Sequence, residues 1–528
     1  MPLPAKNTAW PPPALDQIRK DMDVWSSLYS NDMAALSTAY GTKANGMSRP
    51  DRQGLIQRVI RFFWDNHQTD LTREPERKIH VPLAADIAQA SADLLFSEPP
   101  TAVPANKDES NDTTDERIRL ITGPAFQQVI VSAAEVSAAL GGVYFRATWD
   151  KDVADHIFIS KIDADKAYPE FRHGKLVAVT FWQVVQSTNN VVWRHLERHE
   201  LNAFGVGQIV HGLYQGTLSN LGAPMAFADH PATTWLADLG AELVNGNTIS
   251  TATPGLAVVY APNIAPSRTW RNDPIGCNLG RSDYDGVEPL MDAFDEAFSS
   301  LMRDVRTGKS MLIVPQMMLN NNGPGQGASF THNEVFTPVN AAPSAADQQK
   351  LAVEQVQFTI RVAEHEQTMM LIWNRIINSA GYSAGTFGEG KETMITATEV
   401  TSKERRSFMT RDRKLRALQP ALEEIISKAL AMDAALMKSG ASAIRVRVNF
   451  ADGVQDDPEK LARTAQLLAV SLSASVETRV RLMHRDWEES AIKDEVRRIL
   501  EENNLPILDD PESVAQNGEG VPTVPARG

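Results

Sequence analysis

Apolar residues recur at helical spacing through the longest uninterrupted pattern in the chain, from Ser344 to Ala380. Neither Gly nor Pro interrupts this stretch, so it predicts one continuous helix of roughly 55 Å at the usual rise per residue. Ser344 followed by Asp347 resembles an N-terminal capping pair. Gly381 stands where a left-handed C′ residue commonly ends a helix. A helix of this length is typical of a strut and makes a poor enzyme core.

A second long helix is predicted after a short glycine-bearing loop. The loop runs from Tyr382 to Met394, and Thr396 opens a helix that we expect to continue to residue 440. Pro420 lies inside this helix and is expected to kink it, because proline removes one backbone hydrogen bond and crowds the preceding turn.

The pattern changes from helical spacing to strict alternation at Gly142. Alternating positions separated by turn residues, such as Asn189-Asn190, predict an antiparallel meander of about sixty residues. A further short strand is predicted at Leu256–Tyr260. The predicted strands of the meander are Val143–Trp149, Ile157–Ile162, Leu176–Gln186, Val191–Leu201 and Gln208–Tyr214.

Shorter elements are predicted on both sides of these segments. A helix from Gly280 to Val305 is expected to be N-capped by Ser282 and carries an apolar stripe. Residues 1–13 are expected to form an extended arm, residues 101–115 a mobile polar segment, and the end from Pro506 a disordered tail. Further helices are predicted at 14–40, Leu83–Phe96, Thr114–Leu140, 457–473 and 475–503, and further strands at Met311–Pro315, Val335–Phe336 and Ile444–Phe450.

Composition narrows the class of protein. The 528 residues are 42% apolar and 22% charged, which is ordinary for a folded chain of several domains. No membrane span or signal peptide is expected, since the required apolar runs do not occur. The single Cys277 excludes an intrachain disulfide and a multi-cysteine zinc site, which indicates synthesis in a reducing cytoplasm. The net charge of −14 argues against a generic nucleic-acid coat, which would be basic, and is only compatible with a surface past which DNA slides without sticking.

The order of these elements resembles the portal protein, or head-to-tail connector, of tailed double-stranded DNA bacteriophages. The likeness extends over residues 15–505 and lies in the order of parts and not in one specific motif. The stretches that carry it are Lys78–Pro100, Gly280–Phe294, Thr396–Val400 and Val448–Pro458.

This resemblance implies an α+β class, in a mainly helical portal fold with long stem helices, a β-rich wing meander, a small β-containing clip and a helical crown. The implied parts are the wing at 1–280, the first stem helix at 281–308, the clip at 309–343, the second stem helix at 344–381, the tunnel loop at 382–395, the long kinked wing helix at 396–440, the crown at 441–505 and a disordered tail at 506–528.

The resemblance also implies the function and the partners. Portal proteins form a ring, usually a dodecamer, at one capsid vertex of the virion, where the channel serves DNA packaging and ejection. Their partners are double-stranded DNA bound without sequence preference, the terminase, a head-completion or tail adaptor protein, the major capsid protein and a scaffold protein, with no membrane and no cofactor. The host cytoplasm is the expected place of assembly. The protein is expected not to be an enzyme, and the alternative is another phage head structural protein, a capsid or scaffold component.

Three groups of residues are candidates for this function. The glycine-bearing loop is expected to face the DNA channel through Tyr382, Ser383, Gly385, Phe387, Gly388, Glu389, Gly390 and Lys391. Docking at the clip is assigned to Asn320, Asn321, Asn322, Gly323 and Gln326. A basic cluster is expected to face a neighbouring subunit or DNA, the alternative being a solvated helix face, and comprises Lys403, Arg405, Arg406, Arg411 and Arg413.

One segment resembles a nucleotide-binding loop without completing it. Residues 385–391 match the first part of a P-loop, but Glu392 stands where Ser or Thr should hold magnesium. A carboxylate there would repel phosphate, and the segment follows a helix and not a strand. A nucleotide-driven motor subunit, which is the enzymatic alternative, is therefore disfavoured.

The metal-binding patterns also fail. His365-Glu366 lacks the second histidine of a zinc protease helix. Asp283 and Asp285 resemble the start of a calcium loop whose spacing does not continue, so they are expected to be favourable charges at a helix N-terminus. No catalytic, metal-binding or cofactor-binding residue is predicted.

Overall fold

A computed structural model of the chain describes residues 3–36, 79–150, 153–240, 243–307, 311–315, 336–339, 354–356, 361–388, 397–450, 458–471, 473–484 and 489–502. The chain divides into two units, Met1–Ala451 and Asp452–Gly528. The helices, numbered in chain order, are α1 Asp16–Tyr29, α2 Leu83–Leu95, α3 Asp112–Ile121, α4 Pro124–Leu140, α5 Thr234–Asp238, α6 Glu288–Thr307, α7 Val362–Ala380, α8 Ala397–Met432, α9 Pro458–Val470, α10 Val476–Met483 and α11 Glu489–Glu502. The strands are β1 Thr101–Pro104, β2 Gly142–Thr148, β3 Phe158–Asp163, β4 Ala167–Arg172, β5 Lys175–Thr188, β6 Val191–Leu201, β7 Val206–Thr217, β8 Asn220–Met225, β9 Thr248–Pro254, β10 Val258–Pro262, β11 Met311–Pro315, β12 Phe336–Val339, β13 Glu354–Val356 and β14 Val446–Asn449.

The predicted α+β class is confirmed, but the predicted single meander is wrong. Strands β4 to β8 form one antiparallel sheet in sequence order, with β9 also paired to β7. Strands β2 and β3 belong instead to a separate three-stranded sheet, in the order β10-β2-β3. Strand β2 pairs with β10 and β3 and is buried along most of its length, whereas β5 and β6 keep one side partly exposed.

The N-terminal arm packs along the larger sheet. Trp10 is 2% exposed, and its ring meets that of Trp182 edge to face with centroids 5.5 Å apart. The hydroxyl of Tyr214 donates to the carbonyl of Pro4 at 3.0 Å. A proline-rich segment suits this position, because proline has no backbone N–H and an extended arm forms few backbone hydrogen bonds.

A predicted helix from Thr114 to Leu140 is two helices in the structure. Helix α3 ends at Ile121, and α4 begins at Pro124 after Gly123 adopts extended backbone as its N-cap. Proline has no N–H and fits the first turn of a helix, but not its interior. The same region corrects a second expectation, since residues 101–104 form β1, which pairs antiparallel with β14.

Helix α8, Ala397–Met432, has 36 residues and is the longest helix that the structure describes. Its C-terminal half is an apolar stripe in which Leu422, Ile425, Ile426 and Leu430 have no exposed side-chain surface. Burying each such side chain contributes about 1.5–3 kcal/mol. The helix continues through Pro420, which is exposed, so water can reach the carbonyl that loses its partner one turn earlier.

The predicted continuous helix from Ser344 is wrong in its first half. Residues 354–356 form β13, which pairs antiparallel with β11, and the helix begins at Val362. Its predicted start lies outside the described residues. The sequence from Leu351 to Val356 has β-branched residues at positions 353 and 356, and pairing with β11 overrides its helical spacing. The predicted end is confirmed, because Gly381 adopts φ 105° at the C-cap.

In the second unit, the predicted helix 475–503 appears as two helices. Ser475 caps α10 by accepting from the N–H of Thr478 at 3.2 Å. That helix ends at Met483, where His484 leaves helical backbone, and α11 begins at Glu489. The predicted helix at 457–473 is observed as α9.

A cluster of histidines lies buried on one face of the larger sheet. Nε2 of His195 and Nδ1 of His211 lie 3.1 Å apart, and the two rings stack with centroids 5.2 Å apart. Glu197 accepts from His199 at 2.7 Å and pairs with Arg146. Burial lowers the pKa of His211 to about 3, against the opposing charge of Glu197. The folded chain therefore holds His211 neutral at pH values where an unfolded histidine is charged.

We expect the free energy of unfolding to fall on acidification through this histidine. Below about pH 6.5 this histidine binds a proton in the unfolded state, whereas in the folded state it stays neutral down to about pH 3. The free energy of unfolding therefore falls by about 1.4 kcal/mol for each pH unit between these values. Urea denaturation followed by tryptophan fluorescence near pH 7 and pH 5 measures the effect. His211→Gln should make the loss shallower by about 2 kcal/mol over that interval.

His173→Asn is the matched control, because His173 is exposed in a turn with φ 51° that asparagine also tolerates. This variant should keep the wild-type pH dependence. Equal slopes for His211→Gln and wild type would contradict the account.

Candidate channel loop and basic face

The first half of the predicted channel loop is held inside the first unit. Tyr382 is 1% exposed, and its ring lies 6.2 Å from that of Phe387, which also meets Trp373 edge to face at 6.0 Å. The backbone N–H of Ser383 donates to the hydroxyl of Ser407 on α8 at 2.9 Å. Residues Ala384–Phe387 form one turn of 3-10 helix on this support.

The channel-loop residues therefore divide into two groups. Tyr382 and Ser383 are buried and Phe387 is half-buried, so their side chains serve the core, which runs against the expectation that they face a channel. Gly385 is half-buried in the 3-10 turn, whereas Gly388 is exposed with φ 80° and has open space where a Cβ would stand. Glu389, Gly390 and Lys391 lie outside the described residues, as does the rest of the loop before Ala397.

Gly381 lets the loop start pass close to α8. A Cβ added here would lie 2.9 Å from Oγ1 of Thr410, and φ 105° is a backbone conformation that only glycine adopts readily. The hydroxyl of Thr410 donates to the carbonyl of Gly381 at 2.6 Å. The end of α7 is thereby fixed to α8 directly.

The basic cluster on α8 also divides into two groups. Arg405, Arg406 and Arg413 are exposed, which fits both contact with a partner and the alternative of a solvated helix face. Arg411 is only 7% exposed, and its Nε donates to the carbonyl of Leu94 on α2 at 2.8 Å, so little of it remains for an external partner. The side chain of Lys403 lies outside the described residues.

A buried ion pair joins the parts of this region. Nζ of Lys414 lies 2.6 Å from Oδ2 of Asp283, and the two side chains are 3% and 0% exposed. The same Nζ donates to Oγ of Ser91 at 2.6 Å and to the hydroxyl of Tyr382 at 2.9 Å. Tyr382 in turn donates to Oδ2 of Asp283 at 2.7 Å, and Asn263 donates to Oδ1 at 2.8 Å.

The electrostatics of the pair reflect its burial. Burial lowers the pKa of Lys414, and the carboxylate of Asp283 opposes that shift. Burial and the charge of Asp283 hold the pKa of Tyr382 well above its usual value, so its hydroxyl remains a donor. Each polar atom of the pair has partners, which is the condition under which a buried ion pair is tolerated.

Asp283 reaches this position because two glycines allow close backbone contact. Gly141 ends α4 with φ 86°, and a Cβ on it would lie 2.8 Å from the carbonyl oxygen of Gly280. The N–H of Asp283 donates to the carbonyl of Ala138 at 2.9 Å. Ser282 donates to the carbonyl of Ala139 at 2.5 Å, so it is not the N-cap of α6, which begins six residues later.

Sequence reasoning missed the ion pair, although one signal was present. Asp283 was expected to be a charge at a helix N-terminus, and that expectation is wrong, because its side chain is buried and paired with Lys414. Lys414 lies four and seven residues before Leu418 and Ala421, which are buried on the apolar stripe of α8. A lysine on the buried face of a helix requires a buried acceptor.

The predicted docking residues of the clip, Asn320, Asn321, Asn322, Gly323 and Gln326, lie outside the described residues. The strands that flank them are described, and β11 pairs parallel with β12 and antiparallel with β13. Helices α6 and α7 lie side by side at the base of this insertion, where Nε2 of His365 and Oδ2 of Asp304 are 3.0 Å apart.

Within the described residues, no three His, Cys, Asp or Glu side chains come together as metal ligands. Nor is any helix in this part of the chain both long and apolar enough to cross a membrane. The P-loop-like segment begins in a 3-10 turn after α7, in a different setting from the strand-to-helix loop of nucleotide-binding proteins.

The first unit thus combines a paired helical hairpin that carries a β insertion with a long helix anchored on a mixed α+β body. The family described as "Phage portal protein, SPP1 Gp6-like" matches residues 13–504. The chain therefore belongs to the family of phage portal proteins. No curated protein matches it significantly.

Membership in this family places the protein among phage head-to-tail connectors, which are structural proteins of the virion at the capsid vertex. It also implies a homo-oligomeric ring associated with the capsid and with DNA. The family-level resemblance predicted from the order of parts is thus confirmed.

We expect Lys414→Met to destabilise the first unit by about 3–5 kcal/mol, because it leaves the buried carboxylate of Asp283 without a cation. Adding Asp283→Asn should recover part of that loss, since the remaining group is neutral. Urea denaturation of the purified protein measures both changes.

Arg416→Met is the matched control for this substitution, since Arg416 is exposed two residues further along the same helix. Its free energy of unfolding should change by no more than about 0.5 kcal/mol. A similarly small change in Lys414→Met would show that the ion pair does not hold the region together.

Proposed function

We propose that the protein assembles into a ring of about twelve copies at one capsid vertex, and that double-stranded DNA passes through the channel during packaging and ejection. Assembly takes place in the host cytoplasm. The terminase docks on the clip during packaging, and a head-completion or tail adaptor protein docks there afterwards. The ring contacts the major capsid protein and a scaffold protein and has no enzymatic role of its own.

The observation that carries this proposal is the hairpin of α6 and α7. Asp304, near the end of α6, pairs with His365 near the start of α7, while Met291 and Ile376 at the other ends share one core cluster. The helices are therefore antiparallel neighbours, and the chain between them leaves and returns at one end. An insertion at such a tip is exposed to a docking partner, which suits a clip at 309–343 between stem helices at 281–308 and 344–381.

The remaining segments are assigned to the other parts of a portal subunit. The helices and sheets before residue 281 form the wing, the helix at 396–440 spans it, and residues 441–505 form the crown. The pairing of β14 with β1 ties the first residues of that crown back to the wing.

Charge supports passage of DNA without tight binding. With −14 on each copy, a ring of about twelve carries a formal charge on the order of −170. A mostly acidic channel repels phosphate and so avoids the tight, salt-sensitive binding of DNA that rows of cations would cause. DNA then moves along the channel without large free-energy barriers.

The proposed channel element is the loop from Gly388 to Met394. The buried contacts of Tyr382 and Phe387 anchor the chain immediately before it, and α8 fixes the chain after it. A short glycine-bearing loop between two fixed ends keeps its position while its backbone adapts to DNA. Lys391 is the cation in this loop that would touch passing phosphates.

Deleting Glu389 to Lys391 tests the channel role while leaving the anchored segment intact. Rings should form as in wild type, and the amount of DNA packaged or retained per particle should fall several-fold, because the element proposed to contact DNA is missing. Packaged DNA is measured in particles purified after complementation of a phage that lacks its own copy.

A single charge reversal provides a milder test and a matched control. Lys391→Glu should reduce packaging less than the deletion, whereas Lys175→Glu, an exposed lysine at the start of β5, should package at the wild-type level. If the deletion variant forms normal rings and packages a normal amount of DNA, the loop does not act in the channel and the proposal is wrong.

A further inference from the structure

Three arginines from three separate segments converge beside the buried ion pair. Arg413 lies on the exposed face of α8, and its Nη2 is 3.4 Å from the carbonyl of Ala265. Arg281 precedes α6, and its backbone N–H donates to the carbonyl oxygen of Ile264 at 2.7 Å in an isolated β-bridge. Arg268 is exposed in the same loop as Ala265.

This arginine triad has too few carboxylates of its own. Asp283 is already engaged by Lys414, Tyr382 and Asn263. Asp285 remains, and it accepts from the hydroxyl of Thr269 at 2.5 Å. Nε of Arg281 is buried and has no hydrogen-bond partner among the described residues.

The positive charges therefore repel one another within one copy. Burial, with the charges of Arg268 and Arg413, lowers the pKa of Arg281, and Asp285 and Asp283 only partly oppose this. Like charges held together with an unsatisfied donor destabilise the isolated chain. Such an arrangement is expected where the missing anion arrives with a partner.

Guanidinium groups recognise planar carboxylates and phosphates through paired hydrogen bonds. Two sources of anion are conceivable, an acidic side chain of a second copy or a DNA phosphate. The net charge of −14 favours the second copy, because identical acidic subunits repel one another overall and need local cationic sites in order to associate.

We propose that Arg268, Arg281 and Arg413 form a binding site for carboxylate side chains of a neighbouring copy in the ring. This inference rests on the proposed ring and assigns it one interface site. The site acts between copies, so substituting its residues weakens assembly and relieves repulsion in the monomer.

The test uses the full-length protein and measures the concentration at which half of it is assembled, by sedimentation velocity at low salt. The Arg268→Gln and Arg413→Gln double variant should raise that concentration at least about tenfold. Both side chains are exposed, so the variant should fold, and its monomer should unfold at the wild-type temperature or slightly above it. Arg119→Gln, an exposed arginine on α3, should leave the half-assembly concentration unchanged.

Cross-linking identifies the occupant of the site. Arg413→Lys treated with a zero-length carbodiimide reagent should join position 413 to an Asp or Glu of a second copy. A band at twice the subunit mass on a denaturing gel would show that two copies are linked, and mass spectrometry of peptides from that band would locate the link. If the double variant is half assembled at the same concentration as the wild type, the inference is wrong. Salt-sensitive binding of duplex DNA that disappears in the double variant while rings persist would assign the arginines to phosphate instead. Failure of the wild-type chain to form rings would overturn the proposed function itself.

Discussion

The buried pairing of Lys414 with Asp283 is the interaction on which the centre of the first unit depends. It brings together α8, the segment before α6, the start of the loop after α7, and α2 through Ser91. The hydrophobic effect is non-directional, so a directional polar contact adds to what packing specifies about the register of these elements. A desolvated ion pair with satisfied hydrogen bonds tolerates one arrangement, since any other leaves a charge unpaired in the interior.

The ion pair also fixes the position of Tyr382, which precedes the proposed channel loop by a few residues. The hydrogen bond from Tyr382 to Asp283 therefore fixes the position from which that loop starts. The same pair sets α8 against the body of the protein and thereby presents Arg413 beside Arg281 on its exposed side. The buried pair thus positions both Tyr382, which precedes the proposed channel loop, and α8, which carries the exposed Arg413.

Patterns governed by local chemistry were predictable from the sequence. The pairing of β5 with β6 and of β6 with β7 follows from alternation, and the glycine end of α7 follows from backbone freedom at Gly381. Features decided by distant partners were not predictable. Residues 354–356 become a strand because β11 lies beside them, and β2 leaves the predicted meander because it pairs with β10. Lys414 looked like its surface neighbours, since only the folded chain brings Asp283 to it.

Electron microscopy of the purified protein, with class averages viewed down the particle axis, is the most direct test of the central claim. The account predicts discrete rings with a central hole and about twelve-fold symmetry, each subunit projecting inward at the level of the loop after α7. Closed shells without an axial channel, or a compact monomer at concentrations where related assemblies form, would contradict it.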